Sequence, residues 1–209
     1  FLLDNFLSSG LLILIVIFQA DVRRALTRVG RGLFAPARMH QAHAIEEIVR
    51  ACQALAQRRV GALIAIEREL QTDEFVEDGT VLDAELSRDL LISLFLPYSP
   101  LHDGAVVVRR GRVFSAGCIL PLATRGDLPS AFGTRHRAAI GLTEETDALV
   151  VVVSEESGRI ALVASGEIRP DLDGPRLRQA LLELTGGEPS VETPTDKDVV
   201  ADPARALET

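Results

Sequence analysis

The sequence predicts an α/β fold, a mixed central sheet flanked by helices, from three observations. Residues 60–67 and 149–153 are short apolar runs without alternation, as expected of strands buried on both faces. Between such runs lie segments with apolar residues at helical spacing, for example Ile45, Ile48, Val49, Cys52 and Leu55. Strands and helices mix without strict β-α-β alternation, which favours a mixed sheet over a doubly wound parallel one.

The bulk composition is compatible with that fold. The chain has 209 residues, 47% hydrophobic and 25% charged, a balance that supports a full core. A formal net charge of −8 argues against nonspecific nucleic-acid binding. No Trp and a single Tyr argue against an aromatic platform for single strands. Much of the charge is local, because residues 187–209 carry six acids against Lys197 and Arg205. The body is therefore only mildly acidic and leaves room for a basic pocket. Cys52 and Cys118 lack any CxxC spacing and read as two buried thiols of a reducing compartment.

The chain opens at Phe1 rather than Met, so residues upstream are expected. Residues 6–18 are apolar apart from Ser8, Ser9 and Gly10, and Arg23, Arg24, Arg28, Arg31 and Arg38 follow with only Asp21 opposing them. Spanning a bilayer takes about 20 apolar residues. Residues 1–20 therefore read as the end of a membrane helix whose basic flank places the remainder in the cytoplasm. Charge after the apolar run does not suit a signal peptide. The competing reading is a buried first helix of a soluble protein. Residues 21–36 read as an amphipathic connecting helix broken by Gly30, Gly32 and Pro36, with the catalytic domain beginning at residue 37.

Residues 40–59 are expected to form a helix. His40 and His43 near its start lack a third nearby ligand and read as solvated or capping groups. The strand 60–67 follows, then a polar loop or hairpin over 69–83. Ser87 is placed as the N-cap of a helix carrying Leu90, Leu91, Leu94 and Phe95, which Pro97 and Pro100 end. Residues 105–109 and 112–120 pair around Arg110-Gly111. A loop over 121–130 precedes a helix capped by Thr134 and running to Gly141. Residues 149–153 and 159–164 form a hairpin turned by Glu156-Ser157-Gly158. Residues 172–184 form the last helix and close the domain at residue 186. Residues 187–209, with Pro189, Pro194 and Pro203 among acids, read as a disordered tail.

Three motifs carry candidate chemistry. Leu101-His102-Asp103-Gly104-Ala105 sets a carboxylate at the mouth of an apolar strand. Asp-Gly there can be a plain turn. It can also hold Mg²⁺ or Mn²⁺ through one oxygen, with substrate phosphates as further ligands. Gly104 then lets backbone approach a phosphate and Ala105 leaves room beside it, while His102 adds a ligand or, as favoured, packs or braces from behind. Gly133-Thr134-Arg135-His136-Arg137 opens a helix, where free N–H groups attract anions. Arginines at that end oppose the helix dipole, a conflict that an anionic ligand resolves, or they are simply solvated at a surface helix end. Two residues apart on a helix, Arg135 and Arg137 point differently, so one meets phosphate and the other braces a loop or a partner chain. Ser154-Glu155-Glu156 follows a buried strand at the sheet edge, where a carboxylate can join Asp103 on a metal and Ser154 can bond a phosphate or sugar, or the turn is simply solvated. Walker A, GxSxG, HExxH and Rossmann patterns are absent.

These motifs, with Gly61-Ala62-Leu63-Ile64, stand in the order found in the diadenylate cyclases, which condense two ATP into cyclic di-AMP, and the chain resembles that family from about residue 36 to about residue 185. The apolar N-terminus is similar to its membrane-tethered branch. The resemblance implies a metal-dependent nucleotidyltransferase in which each protomer holds one ATP and two protomers meet face to face. It implies Asp103, Gly104 and Ala105 at the reacting centre, with Asp103 and Glu156 on the metal. It further implies that Gly133, Thr134, Arg135, His136 and Arg137 hold the triphosphate, with Ser154 and Glu155 completing the phosphate shell. Leu120 is implied at the adenine through its backbone. A catalytically silent ATP-binding sensor is the alternative. A phosphodiesterase is disfavoured because four scattered histidines offer too few ligands for two metals.

Overall fold

The computed structural model describes residues 35–186, except 71, 74–77, 127 and 130–131. The expected membrane helix, most of the connecting helix and the acidic tail lie outside the described residues. Among those that are described, no helix is long and apolar enough to cross a membrane.

Seven strands form one sheet in the order β2-β4-β3-β1-β5-β6-β7. They are β1 (Ala62–Ile66), β2 (Thr80–Glu85), β3 (Ala105–Arg109), β4 (Arg112–Cys118), β5 (Leu149–Val153), β6 (Ile160–Ala164) and β7 (Glu167–Arg169). Only β1 and β3 pair in parallel; the other ladders are antiparallel. The sheet is thus mixed, as the irregular alternation of segments predicted. The central strands β1 and β5 are buried at every position, which accounts for their unbroken apolar runs.

Two strands escape a sequence reading. β2 begins within the stretch read as a polar loop or hairpin and runs two residues past it, and β7 has only three residues. Both are edge strands with exposed positions, so neither needs the apolar pattern by which a strand is recognised. A bulge between Val81 and Ala84 further disrupts β2, with Asp83 at φ 42°.

Helices α1 (Ala35–Gln57), α2 (Arg88–Phe95), α3 (Thr134–Glu145) and α4 (Gly174–Thr185) cover the sheet. α1, α2 and α4 share one core with one face of the sheet, and α3 packs alone on the other. α1 starts five residues earlier than its periodicity suggested. Pro36 lies in its first turn, where a missing N–H costs nothing, and does not break it. Ser87 caps α2 as expected, accepting from the Leu90 N–H at 3.3 Å. Asp173 caps α4 and Gly186 closes it in the left-handed region at φ 75°, so this helix begins two residues later than read. Cys52 and Cys118 are both buried free thiols; burial pushes Cys52 up to about 12.

After β4 the chain straps over α3. The Ala123 N–H donates to the Arg137 carbonyl at 2.9 Å, and Arg125 pairs with Glu144 while donating to the Gly166 carbonyl. This crossing requires Gly141, because a Cβ there would lie 2.2 Å from the Pro121 carbonyl oxygen and 2.8 Å from the Ala123 nitrogen. In a free helix Gly141→Ala would stabilise by about 1 kcal/mol. Here the clash is with backbone, and the expected outcome is a net loss of about 2 kcal/mol in urea unfolding; a variant more stable than wild type would refute the crossing.

Candidate active site

The parallel pairing of β1 with β3 organises the site. Ile64 lies beside Val106, and Ala62 lies beside Val153 of antiparallel β5. Continued to the strand ends, these registers set Asp103 level with Gly61 and Gly61 level with Ser154. Neighbouring strands are about 4.8 Å apart, so the three positions line one sheet edge within about 10 Å.

The amino end of α3 closes over that edge. Its N-cap is Gly133, without a side-chain hydrogen bond, and Thr134 is the first helical residue rather than the cap. Thr was expected to cap because its hydroxyl can; here the His136 and Arg137 N–H groups donate to the Gly133 carbonyl, and no side chain caps those of Thr134 and Arg135. The Arg135 guanidinium reaches the strand edge and donates through Nη1 to Glu155 Oε2 at 2.8 Å. Arg137 is exposed and forms no side-chain hydrogen bond or ion pair with the described residues. His136 is half-buried and stacks on Phe132, with ring centroids 5.2 Å apart and planes 15° from parallel.

Asp103 is exposed, and its carboxylate has no partner among the described residues. The turn that presents it is pinned by His102, whose N–H donates to the Ser99 carbonyl and whose Nδ1 lies 2.6 Å from the same oxygen. His102 thus braces from behind, as one sequence reading had it. Gly104 takes φ 118°, and a Cβ there would lie 2.8 Å from the Cys118 carbonyl oxygen. Its glycine is explained by close approach to β4. Ala105 is fully buried at the start of β3, paired with Cys118. Leu120 is 6% exposed just beyond β4, between the exposed Ile119 and the first residue of the strap.

On the third side, Ser154 starts the β5–β6 turn. Its hydroxyl accepts from the Ser157 N–H at 3.2 Å and keeps its own proton to donate. Glu155 is committed to Arg135, whereas Glu156 is exposed and acts on His136 through its charge. Among the described residues no three His, Cys, Asp or Glu side chains group to hold a metal unaided. Asp103 and Glu156 offer hard carboxylate oxygens free of ion pairs, which fit Mg²⁺ or Mn²⁺ provided a ligand's phosphates fill the remaining positions. Gly61 and Phe132 also belong to the site, though no role was read for either. A glycine opening a buried strand and an aromatic just before a histidine helix start were the available signals.

Burial pushes the His136 imidazolium below its ordinary value, and the Glu156 carboxylate partly restores it. His136 is therefore neutral at neutral pH. In the unfolded chain it takes up a proton near pH 6.5, while in the folded chain it resists until lower pH, so stability falls on acidification through that window. In NMR titrations we expect Glu156→Gln to lower the His136 midpoint further, and His136→Gln to flatten the loss of stability below pH 6.5. A midpoint raised by Glu156→Gln would contradict the arrangement.

Residues 49–168 match the family described as DAC, DisA bacterial checkpoint controller nucleotide-binding. The chain is similar to the diadenylate cyclase of Listeria monocytogenes, 42% identical over 197 residues that cover 90% of this chain and 72% of that protein. It is also similar to the cyclic di-AMP synthase CdaA of Bacillus subtilis, 40% identical over 86% of this chain and 68% of that one. A crystal structure of a double mutant of DacA from Staphylococcus aureus superposes with a TM-score of 0.67 at 38% identity, covering 69% of this chain and 97% of the other. With its mixed sheet and its acidic turn facing an uncapped, arginine-bearing helix, the chain belongs to the diadenylate cyclase family of nucleotidyltransferases.

Proposed function

We propose that the protein condenses two ATP into cyclic di-AMP, releasing two pyrophosphates, across a face-to-face pair of identical sites. One observation carries the reading: a carboxylate without a partner among the described residues, Asp103, on the same sheet edge as a helix start that has no side-chain cap and whose arginine already reaches that edge.

In each protomer the free N–H groups of Thr134 and Arg135 face the triphosphate with the arginine side chains and a neutral His136. Two unit charges about 4 Å apart repel by about 4 kcal/mol at an effective dielectric of about 20. Bringing two polyphosphates together therefore demands the whole cationic set. Arg135 serves its own nucleotide, and Arg137, which has no side-chain partner among the described residues, serves the phosphates or the facing protomer. The Ser154 hydroxyl donates to phosphate or ribose, and the Leu120 backbone meets the adenine.

Asp103 and Glu156 would hold the divalent cation, Mg²⁺ or Mn²⁺. When bound, such an ion makes a ribose hydroxyl more acidic and draws charge from a phosphoryl oxygen. Asp103 orients the 3′-hydroxyl of one ATP at the α-phosphorus of the other. There a new oxygen–phosphorus bond forms as the bond to pyrophosphate breaks, and the hydroxyl proton leaves to the Asp103 carboxylate or to water. Each ATP is both nucleophile and electrophile, so a two-fold axis makes both bond-forming steps equivalent, and alignment across the interface supplies much of the acceleration. We further propose that the apolar residues 6–18 and their arginine flank tether this domain to the membrane with the catalytic domain on the cytoplasmic side.

Purified protein given ATP with Mg²⁺ or Mn²⁺ should yield cyclic di-AMP and pyrophosphate by mass spectrometry; bound but unchanged ATP would favour a silent sensor. Asp103→Asn should reduce turnover by about 10²–10⁴-fold while nucleotide binding stays close to wild type. Specific activity should rise with protein concentration until the dimer saturates, and a concentration-independent value for a monomer would exclude the shared site.

A further inference from the structure

Gly61 lies immediately before β1, is buried, and has no left-handed backbone to explain it. A buried position of ordinary backbone conformation normally gains from a side chain. What occupies the missing side chain's place is specific. A Cβ on Gly61 would lie 2.6 Å from Arg135 Nη1, 2.7 Å from Arg135 Cζ and 2.9 Å from Glu155 Oε2. The guanidinium and its carboxylate partner, 2.8 Å apart, therefore rest directly on the Gly61 backbone.

Resting on the reading of Arg135 as a phosphate-binding residue, we propose that Gly61 is a positioning residue, its absent side chain reserving the floor on which the Arg135–Glu155 pair is held for the triphosphate. Three elements meet here: β1 provides the floor, α3 delivers the arginine and the β5–β6 turn delivers the carboxylate. With Nη1 committed to Glu155, the guanidinium's remaining N–H groups stay available to an anion. A long arginine without such a seat would lose rotamer freedom on binding nucleotide; one already seated has little left to lose. Glu155 thereby acts through Arg135, which explains an acidic residue beside a polyphosphate site.

The atoms a methyl group would meet are the far end of a flexible side chain, not backbone. Gly61→Ala should accordingly leave the fold intact and displace Arg135. We expect its melting temperature to stay within about 3 °C of wild type. Its affinity for adenosine 5′-(α,β-methylene)triphosphate, measured by calorimetry, should fall about 10- to 100-fold, the loss expected for one charge-assisted contact. Steady-state kinetics should show this mainly as a higher KM. In an Arg135→Ala background, which itself weakens binding, Gly61→Ala should add nothing further. Equal losses in both backgrounds, or normal affinity in Gly61→Ala, would overturn the proposal. If Arg135→Ala alone leaves affinity unchanged, the phosphate role of Arg135 falls. The seating is then judged by a crystal structure of Gly61→Ala: an undisturbed Arg135–Glu155 pair would refute it too.

Discussion

The parallel pairing of β1 with β3, flanked by antiparallel β5, is the constraint on which the rest depends. A parallel pair sets two strand starts at the same edge, and an antiparallel neighbour adds a strand end there. Asp103, Gly61 and Ser154 come from sequence positions far apart and meet only because those three strands are neighbours. A one-residue slip would turn every side chain of a strand to the wrong face, and burial on both faces of β1 and β5 makes such a slip costly. The opposite end of the same strands is closed by Arg109, which pairs with Glu67 at 2.9 Å and Asp73 at 2.5 Å and lies over Phe114.

Electrostatic tension is built into the open edge. Arginines at a helix start work against the dipole by about 0.3–1 kcal/mol each, and no side chain caps the first turn. Glu155 relieves part of this for Arg135; Arg137 has no such relief among the described residues. Burial of His136 against Phe132 keeps the central residue of the trio uncharged at neutral pH. The charge of Arg137 at this edge is thus not neutralised by the described residues.

Glycine is used for close approach at several of these points. Gly141 admits the strap that runs from Leu120 toward Phe132, Gly104 admits β4 behind the acidic turn, and Gly61 admits the arginine–glutamate pair. In sequence none of these three residues announces a close approach: one reads as a turn glycine, one as a helix-weakening glycine, one as a glycine beside a buried strand. Which atoms fill the missing side chain's place differs each time, and with it the consequence of substitution.

The sequence by itself determined the central strands, the helices and the mixed character of the sheet, because buried runs and helical periodicity are local signals. It also determined the chemical candidates, since a carboxylate able to hold a metal and a helix start able to attract an anion are recognisable from residue type and order. Edge strands β2 and β7 were not legible because half-exposed strands need no apolar pattern. The cap at Gly133, the pairing of Arg135 with Glu155, and the alignment of Asp103 with Gly61 were decided by tertiary structure alone. Each is a contact between segments distant along the chain, and only the sheet's strand order brings those segments into reach.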